Sequence, residues 1–206
     1  MNKSSFIAAF ITKEKILSPH SGEIILNTYN IGELILTSGN LVACDPFTGL
    51  HTEPFSATLP PGRYPVILSV AQILSSGDYR VAYAMLRLNE QIPVRWEMAT
   101  RPGEELTELK EEEIFGYSVD AGTGCFIDAD AAETMSTFYE IFADQLEAAL
   151  EKNYTHTWDW AILPFDNYTE ANIVAFKSGW GDGFYASYFG YDANNNIVNV
   201  VTDFYP

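Results

Sequence analysis

One stretch of this chain, Ala131 to Lys152, repeats its apolar residues at the three-to-four spacing of a helix. Almost everywhere else the apolar residues come in short runs cut by turn-forming residues. The helical stripe is Met135, Phe138, Phe142, Leu146 and Leu150, with Glu140, Asp144, Glu147 and Glu151 on more exposed positions. Asp130 and Glu133 have the spacing of a capping box, Asp standing in for Ser or Thr. The short runs read as strands: Glu23–Asn27 and Glu33–Thr37 on either side of Asn30-Ile31-Gly32, then Leu41–Cys44. Tyr64–Leu74 and Tyr79–Leu88 form a hairpin through Ser75-Ser76-Gly77-Asp78. Val94–Met98 alternates and looks half exposed. After the helix, Trp158–Leu163, Asn172–Lys177, Phe184–Tyr191 and Ile197–Thr202 are strand-like. His51–Gly62 reads as a loop, and Arg101–Glu113 as a connecting loop or a short surface helix. The expectation is an α+β fold in one domain, residues 1–206: a mainly antiparallel β sheet or sandwich with one long helix, about 131–152, packed on it.

Composition bounds what such a fold does. The 206 residues are 47% hydrophobic and 14% aromatic, enough to bury a core within one domain. Acidic side chains number 28 against 11 basic ones, a formal net charge of −17. That field repels phosphate backbones and anionic lipid, so neither nucleic acid nor membrane is an expected partner, while a basic protein is attracted. The run Phe6–Ile11 is too short for a signal peptide or a membrane span and reads as a first strand or a short packed helix. Two cysteines, Cys44 and Cys125, make no disulfide framework. A cytoplasmic protein with reduced thiols is expected, in which the Asn-Tyr-Thr sequons at Asn153 and Asn167 carry no weight.

The loops hold whatever chemistry exists. Asp120-Ala121-Gly122-Thr123-Gly124 joins two short strands, and Ser178-Gly179-Trp180-Gly181-Asp182-Gly183 leads into the aromatic run Phe184–Tyr191. Glycines permit positive φ and close backbone approach, and an Asp in such a bend accepts amide hydrogen bonds, here from its own turn. Neither bend is a phosphate loop: no Gly-Lys-Ser/Thr follows, and the third glycine of the dinucleotide pattern is missing. If Asp45, Asp120, Asp128 and Asp182 converge, they form an all-oxygen site for Mg²⁺ or Ca²⁺. Asp192–Asn196 is better read as an Asn-rich hairpin turn than as a calcium loop, because Ile197 stands where glycine is needed. His20, His51 and His156 lie in separate segments outside any catalytic pattern, and both cysteines read as small apolar groups.

Three phrases in order, Leu41–Phe47 (LVACDPF), Gly116–Asp128 (GYSVDAGTGCFID) and Ser178–Tyr185 (SGWGDGFY), resemble an uncharacterised bacterial family catalogued as a domain of unknown function, over about Gly32 to Phe204. Asn194-Asn195-Asn196 departs from the Gly-containing turn usual in that family, and no proline flanks Tyr185. The resemblance implies no activity or cofactor. It concentrates attention on Asp45, Asp120, Thr123, Asp128, Asp182 and Tyr185.

Two functions stay open. The preferred one is a non-enzymatic binding protein, of immunity or regulatory type, whose acidic surface meets a basic protein. The alternative is a metal-dependent hydrolase or small-ligand enzyme that holds a divalent cation with Asp120, Asp128 and Asp182. For either, the candidate ligand-binding residues are Asp45, Asp120, Gly122, Thr123, Gly124, Asp128, Ser178, Asp182 and Tyr185, and both readings need the two glycine-bearing bends to meet.

Overall fold

The structure is a computed structural model that describes residues 5–10, 13–164 and 171–204. Within them the elements run α1 (Ser5–Ala9), β1 (Glu14–Ser18), β2 (Gly22–Leu36), β3 (Leu41–Cys44), β4 (Gly62–Ile73), β5 (Tyr79–Arg87) and β6 (Arg95–Met98). A single 3-10 turn, Leu106–Glu108, interrupts the acidic connection that follows. Then come β7 (Tyr117–Val119), β8 (Thr123–Asp128), α2 (Ala129–Thr137), α3 (Tyr139–Lys152), β9 (Trp160–Pro164), β10 (Asn172–Lys177), β11 (Gly183–Tyr185), β12 (Ser187–Tyr191) and β13 (Ile197–Asp203). Ile11 and Thr12, at the end of the first apolar stretch, and the sequon at Asn167 lie outside the described residues.

Every strand pairing among the described residues is antiparallel. A seven-stranded sheet, ordered β1-β2-β4-β5-β13-β12-β6, curls as a half-barrel over a four-stranded sheet ordered β3-β8-β10-β9. A two-stranded ribbon, β11-β7, completes the set. The period-two alternation explains the layering. On β3, β8 and β10, residues Leu41, Ala43, Phe126, Val174 and Phe176 enter the core between the sheets. Their neighbours Val42, Cys44, Cys125, Ile127, Ile173 and Ala175 point the other way, against α2 and α3. These strands are covered on both faces, and so they read as continuous apolar runs. On the outer face of the large sheet, Phe6 and Ala9 of α1 pack among Tyr83, Met85 and Val201. No helix among the described residues is long and apolar enough to cross a membrane.

Four local expectations are corrected. The single helix 131–152 is two helices, broken at Phe138, which is 60% exposed instead of lying in the buried stripe. The stripe itself holds on either side, through Met135, Phe142, Leu146 and Leu150. The helix cap is Asp128, whose Oδ1 accepts from the Asp130 amide at 3.1 Å, and not Asp130. Asn30-Ile31-Gly32 is a bulge inside one long strand, since β4 is long enough to pair with both halves of β2. Finally, Phe184–Tyr191 is two strands that part at Ala186, one pairing with β7 and the other with β13 and β6.

A buried arginine, overlooked in the sequence, fastens the outer edge of β3. Arg101 donates to the carbonyls of Ala43 (3.1 Å), Glu53 (3.0 Å) and Gly116 (2.8 Å). Phe55 N donates to the Leu41 carbonyl at 3.0 Å. Together they occupy backbone acceptors that an edge strand would otherwise expose.

Candidate functional site

The two glycine-bearing bends lie side by side, because the strands on both sides of them pair with each other. β8 pairs with β10, bringing Thr123 opposite Lys177, and β7 pairs with β11, bringing Val119 opposite Gly183. Both segments therefore cross between the four-stranded sheet and the ribbon together. Ser178 N donates to the Gly122 carbonyl at 3.1 Å, joining the bends directly. Gly122 sits at φ +64°, a left-handed conformation that favours glycine, with the flexible end of the Lys177 side chain beside it.

Most of the expected polar residues hold this crossing together. Asp45 is fully buried at the end of β3. Its Oδ2 accepts from the amides of Asp120 (2.9 Å) and Ala121 (2.7 Å), and its Oδ1 from Phe47 N (2.8 Å). The bend is thus organised by a carboxylate 75 residues earlier in the chain, where a self-bonded Asp120 was expected. In the second bend, Ser178 Oγ and Tyr185 Oη both donate to the Gly181 carbonyl at 2.9 Å. Burial, with Asp182 adding to it, pushes the Tyr185 phenol above its ordinary value, which suits a hydroxyl that stays a donor. Gly124 packs against Tyr117, Phe176 and Phe204 beneath the bends.

Asp128 does not join them. It stands opposite Leu41, whereas Cys125, nearest the bend, stands opposite Cys44. At roughly 3.3 Å per residue, that separation along the strand is about 10 Å. There it caps α2 and takes the Ser38 amide (2.8 Å) and hydroxyl (2.9 Å). Asp120 and Asp182 are exposed, and Asp45 faces backbone amides. The four aspartates do not share one centre, and no three His, Cys, Asp or Glu side chains among the described residues are placed to hold a metal.

Beside the first bend lies a cleft of about 760 Å³, at the rim of the layer where α3 packs on the four-stranded sheet. One wall is α3 and its end, presenting Tyr139, Asp144, Glu147, Glu151 and Tyr154. The other is Ala121 and Thr123 of the bend, with Lys177 and Asp159. Four carboxylates therefore meet one ammonium. None of the ion pairs among the described residues involves Asp144, Glu147 or Glu151. Asp159 is the deepest acid: its Oδ1 is buried without a donor, and burial raises its carboxyl above the ordinary value, opposed by Lys177. Tyr139 is fixed by donating to the Phe47 carbonyl at 2.7 Å.

Of the residues singled out in the sequence, only Thr123 lines the cleft, and the acidic lining comes from the helix face whose spacing predicts mere exposure. The available signal was spacing: Asp144, Glu147 and Glu151 stand at i, i+3 and i+7, on one side of a helix. Asp159 carried no signal, since its position depends on β9 pairing beside Lys177.

No curated protein and no solved structure matches the chain. A family model described as "Protein of unknown function (DUF4241)" matches residues 34–202, a span that contains both bends, Asp45 and the whole lining of the cleft. The chain belongs to that family.

Proposed function

We propose that the chain is a non-enzymatic binding protein that receives a cationic segment of a basic partner protein in the cleft beside α3. The observation that carries this reading is the set of four carboxylates around one lysine, in a cleft whose helix wall makes no ion pair among the described residues. Its volume falls in the range of about 300–1,000 Å³ typical of ligand sites. Phe47, Tyr139 and Tyr154 offer rings to the stem or head of a lysine or arginine. The overall charge of −17 draws the same partner from a distance. Two free thiols support a reducing, cytoplasmic setting.

Calorimetric titration with a synthetic Lys/Arg tetrapeptide, and with its Gln counterpart, tests the proposal. The basic peptide binds, more weakly as salt rises, and the Gln peptide does not. The triple variant Asp159→Asn, Glu147→Gln, Glu151→Gln loses on the order of tenfold or more in affinity. Neutralising Glu111, Glu112 and Glu113, outside the cleft, changes it little. Equal losses from the two triple variants would reduce the effect to net charge and sink the reading.

A further inference from the structure

In the core between the four-stranded sheet and the helices, the two cysteines of the chain face each other across neighbouring strands. Cys44 and Cys125 are directly paired in the β3–β8 register, their sulfurs are 3.6 Å apart, and both are fully buried between the four-stranded sheet and the helices. Opposed residues of antiparallel strands have Cα atoms about 4.5–5.5 Å apart, within the span of about 4.4–6.8 Å that a disulfide bridges. The fold therefore holds the pair ready to be joined with its backbone in place.

We propose that Cys44 and Cys125 form an oxidation site, closed into an intramolecular disulfide by a low-molecular-weight disulfide, that locks together the two strands leading to the cleft residues Phe47 and Thr123. The order of events follows from the topology. Cys125 is on an inner strand, between β3 and β10, while Cys44 ends the edge strand β3. Local opening of that edge, which breaks the contacts of Arg101 and Phe55 to it, exposes Cys44 first. The Cys44 thiolate attacks one sulfur of the oxidant and releases one small thiol. The Cys125 thiolate then attacks Cys44 Sγ, forms the protein disulfide and releases the second small thiol. The two electrons lost by the cysteines reduce one oxidant disulfide to two thiols, and the two cysteine protons end on those thiols. While closed, the pair resists this chemistry, because burial and the neighbouring Cys44 push the Cys125 thiol well above its ordinary value.

The lock reaches the cleft through adjacent residues. Cys44 immediately precedes Asp45, which holds the amides of Asp120 and Ala121, and Cys125 follows Thr123-Gly124. Tying the two strands there keeps the carboxylate and the bend it organises in one register.

The test incubates the full chain with oxidised glutathione across a urea series that ends below the unfolding midpoint, followed by intact mass, peptide mapping and melting after urea removal. The expected product is a monomer lighter by about 2 Da, the two thiol hydrogens, joined at Cys44 and Cys125. It forms faster as urea rises, melts higher than the reduced chain, and exchanges the Asp120 and Ala121 amides more slowly. Cys44→Ser gives none of this; if that variant does not fold, Cys125→Ala serves instead. Only glutathione adducts or cross-linked dimers, or a bridged monomer that melts below the reduced one, would overturn the proposal.

Discussion

Removing the Asp45 carboxylate is the sharpest test of how the bends are held. The side chain is fully buried and takes three backbone amides, those of Phe47, Asp120 and Ala121, at 2.7–2.9 Å. A hydrogen bond to a charged group contributes about 1.5–3 kcal/mol. Asp120 and Ala121 are exposed residues, so water recovers part of the loss at two of the three amides. Asp45→Ala should then destabilise the fold by about 3–5 kcal/mol, and Asp45→Asn, which retains one acceptor, by about 1–3 kcal/mol. For a chain of this size each kcal/mol lowers the melting temperature by about 2–4 °C. Urea denaturation gives the magnitude, and hydrogen exchange at residues 47, 120 and 121 gives the location. A cost below about 0.5 kcal/mol for the alanine variant, the range of an ordinary surface change, would refute the reasoning. Asp128→Asn provides the comparison. Its carboxylate lies at the other end of the β3–β8 pair, so the double variant should be additive within about 0.5 kcal/mol.

Other expectations follow from the same contacts. Phe138→Ser, at the exposed break between α2 and α3, should change stability by less than about 0.5 kcal/mol, whereas Leu146→Ala in the buried stripe should cost about 2–5 kcal/mol; denaturation midpoints separate the two. Gly122→Ala forces a Cβ into left-handed backbone beside Lys177, costing about 1–2 kcal/mol and read by the same assay. Asp159→Asn should raise the melting temperature at pH 7. Burial puts its folded value above its unfolded one, so the folded chain holds this proton more tightly. The group's contribution is fully present below about pH 4 and is lost as pH rises through the folded value. The gain from the variant should therefore shrink as the melting series descends toward pH 4, while affinity for the basic tetrapeptide falls at neutral pH.

What the sequence made legible was what local pattern controls. β3, the β4–β5 hairpin and the turn at Asp192, where Oδ1 takes the amides of Asn194 and Asn196 at 2.8 Å, follow directly from alternation and turn chemistry. The meeting of the bends was an inference from like composition, and the pairings β8–β10 and β7–β11 supply its cause. What stayed hidden depends on partners distant in sequence. Phe138 has helical spacing but breaks the helix and faces outward. Ala186 lies within an unbroken aromatic run, yet the chain changes sheets there because β7 claims one half and β13 the other. Asp45 and Asp128 both stood out as turn-like aspartates, and only the strand register shows that they serve opposite ends of β3.

Binding of a cation in the cleft, and not over the acidic surface at large, is the central proposal. Titrating isotope-labelled chain with the Lys/Arg tetrapeptide and following amide and side-chain resonances by NMR tests this directly. The prediction is that shifts concentrate at Thr123, Glu147, Glu151, Asp159 and Lys177 and saturate together. Shifts spread over the exposed acids from Glu104 to Glu113, or no saturable shift at the cleft, would contradict it.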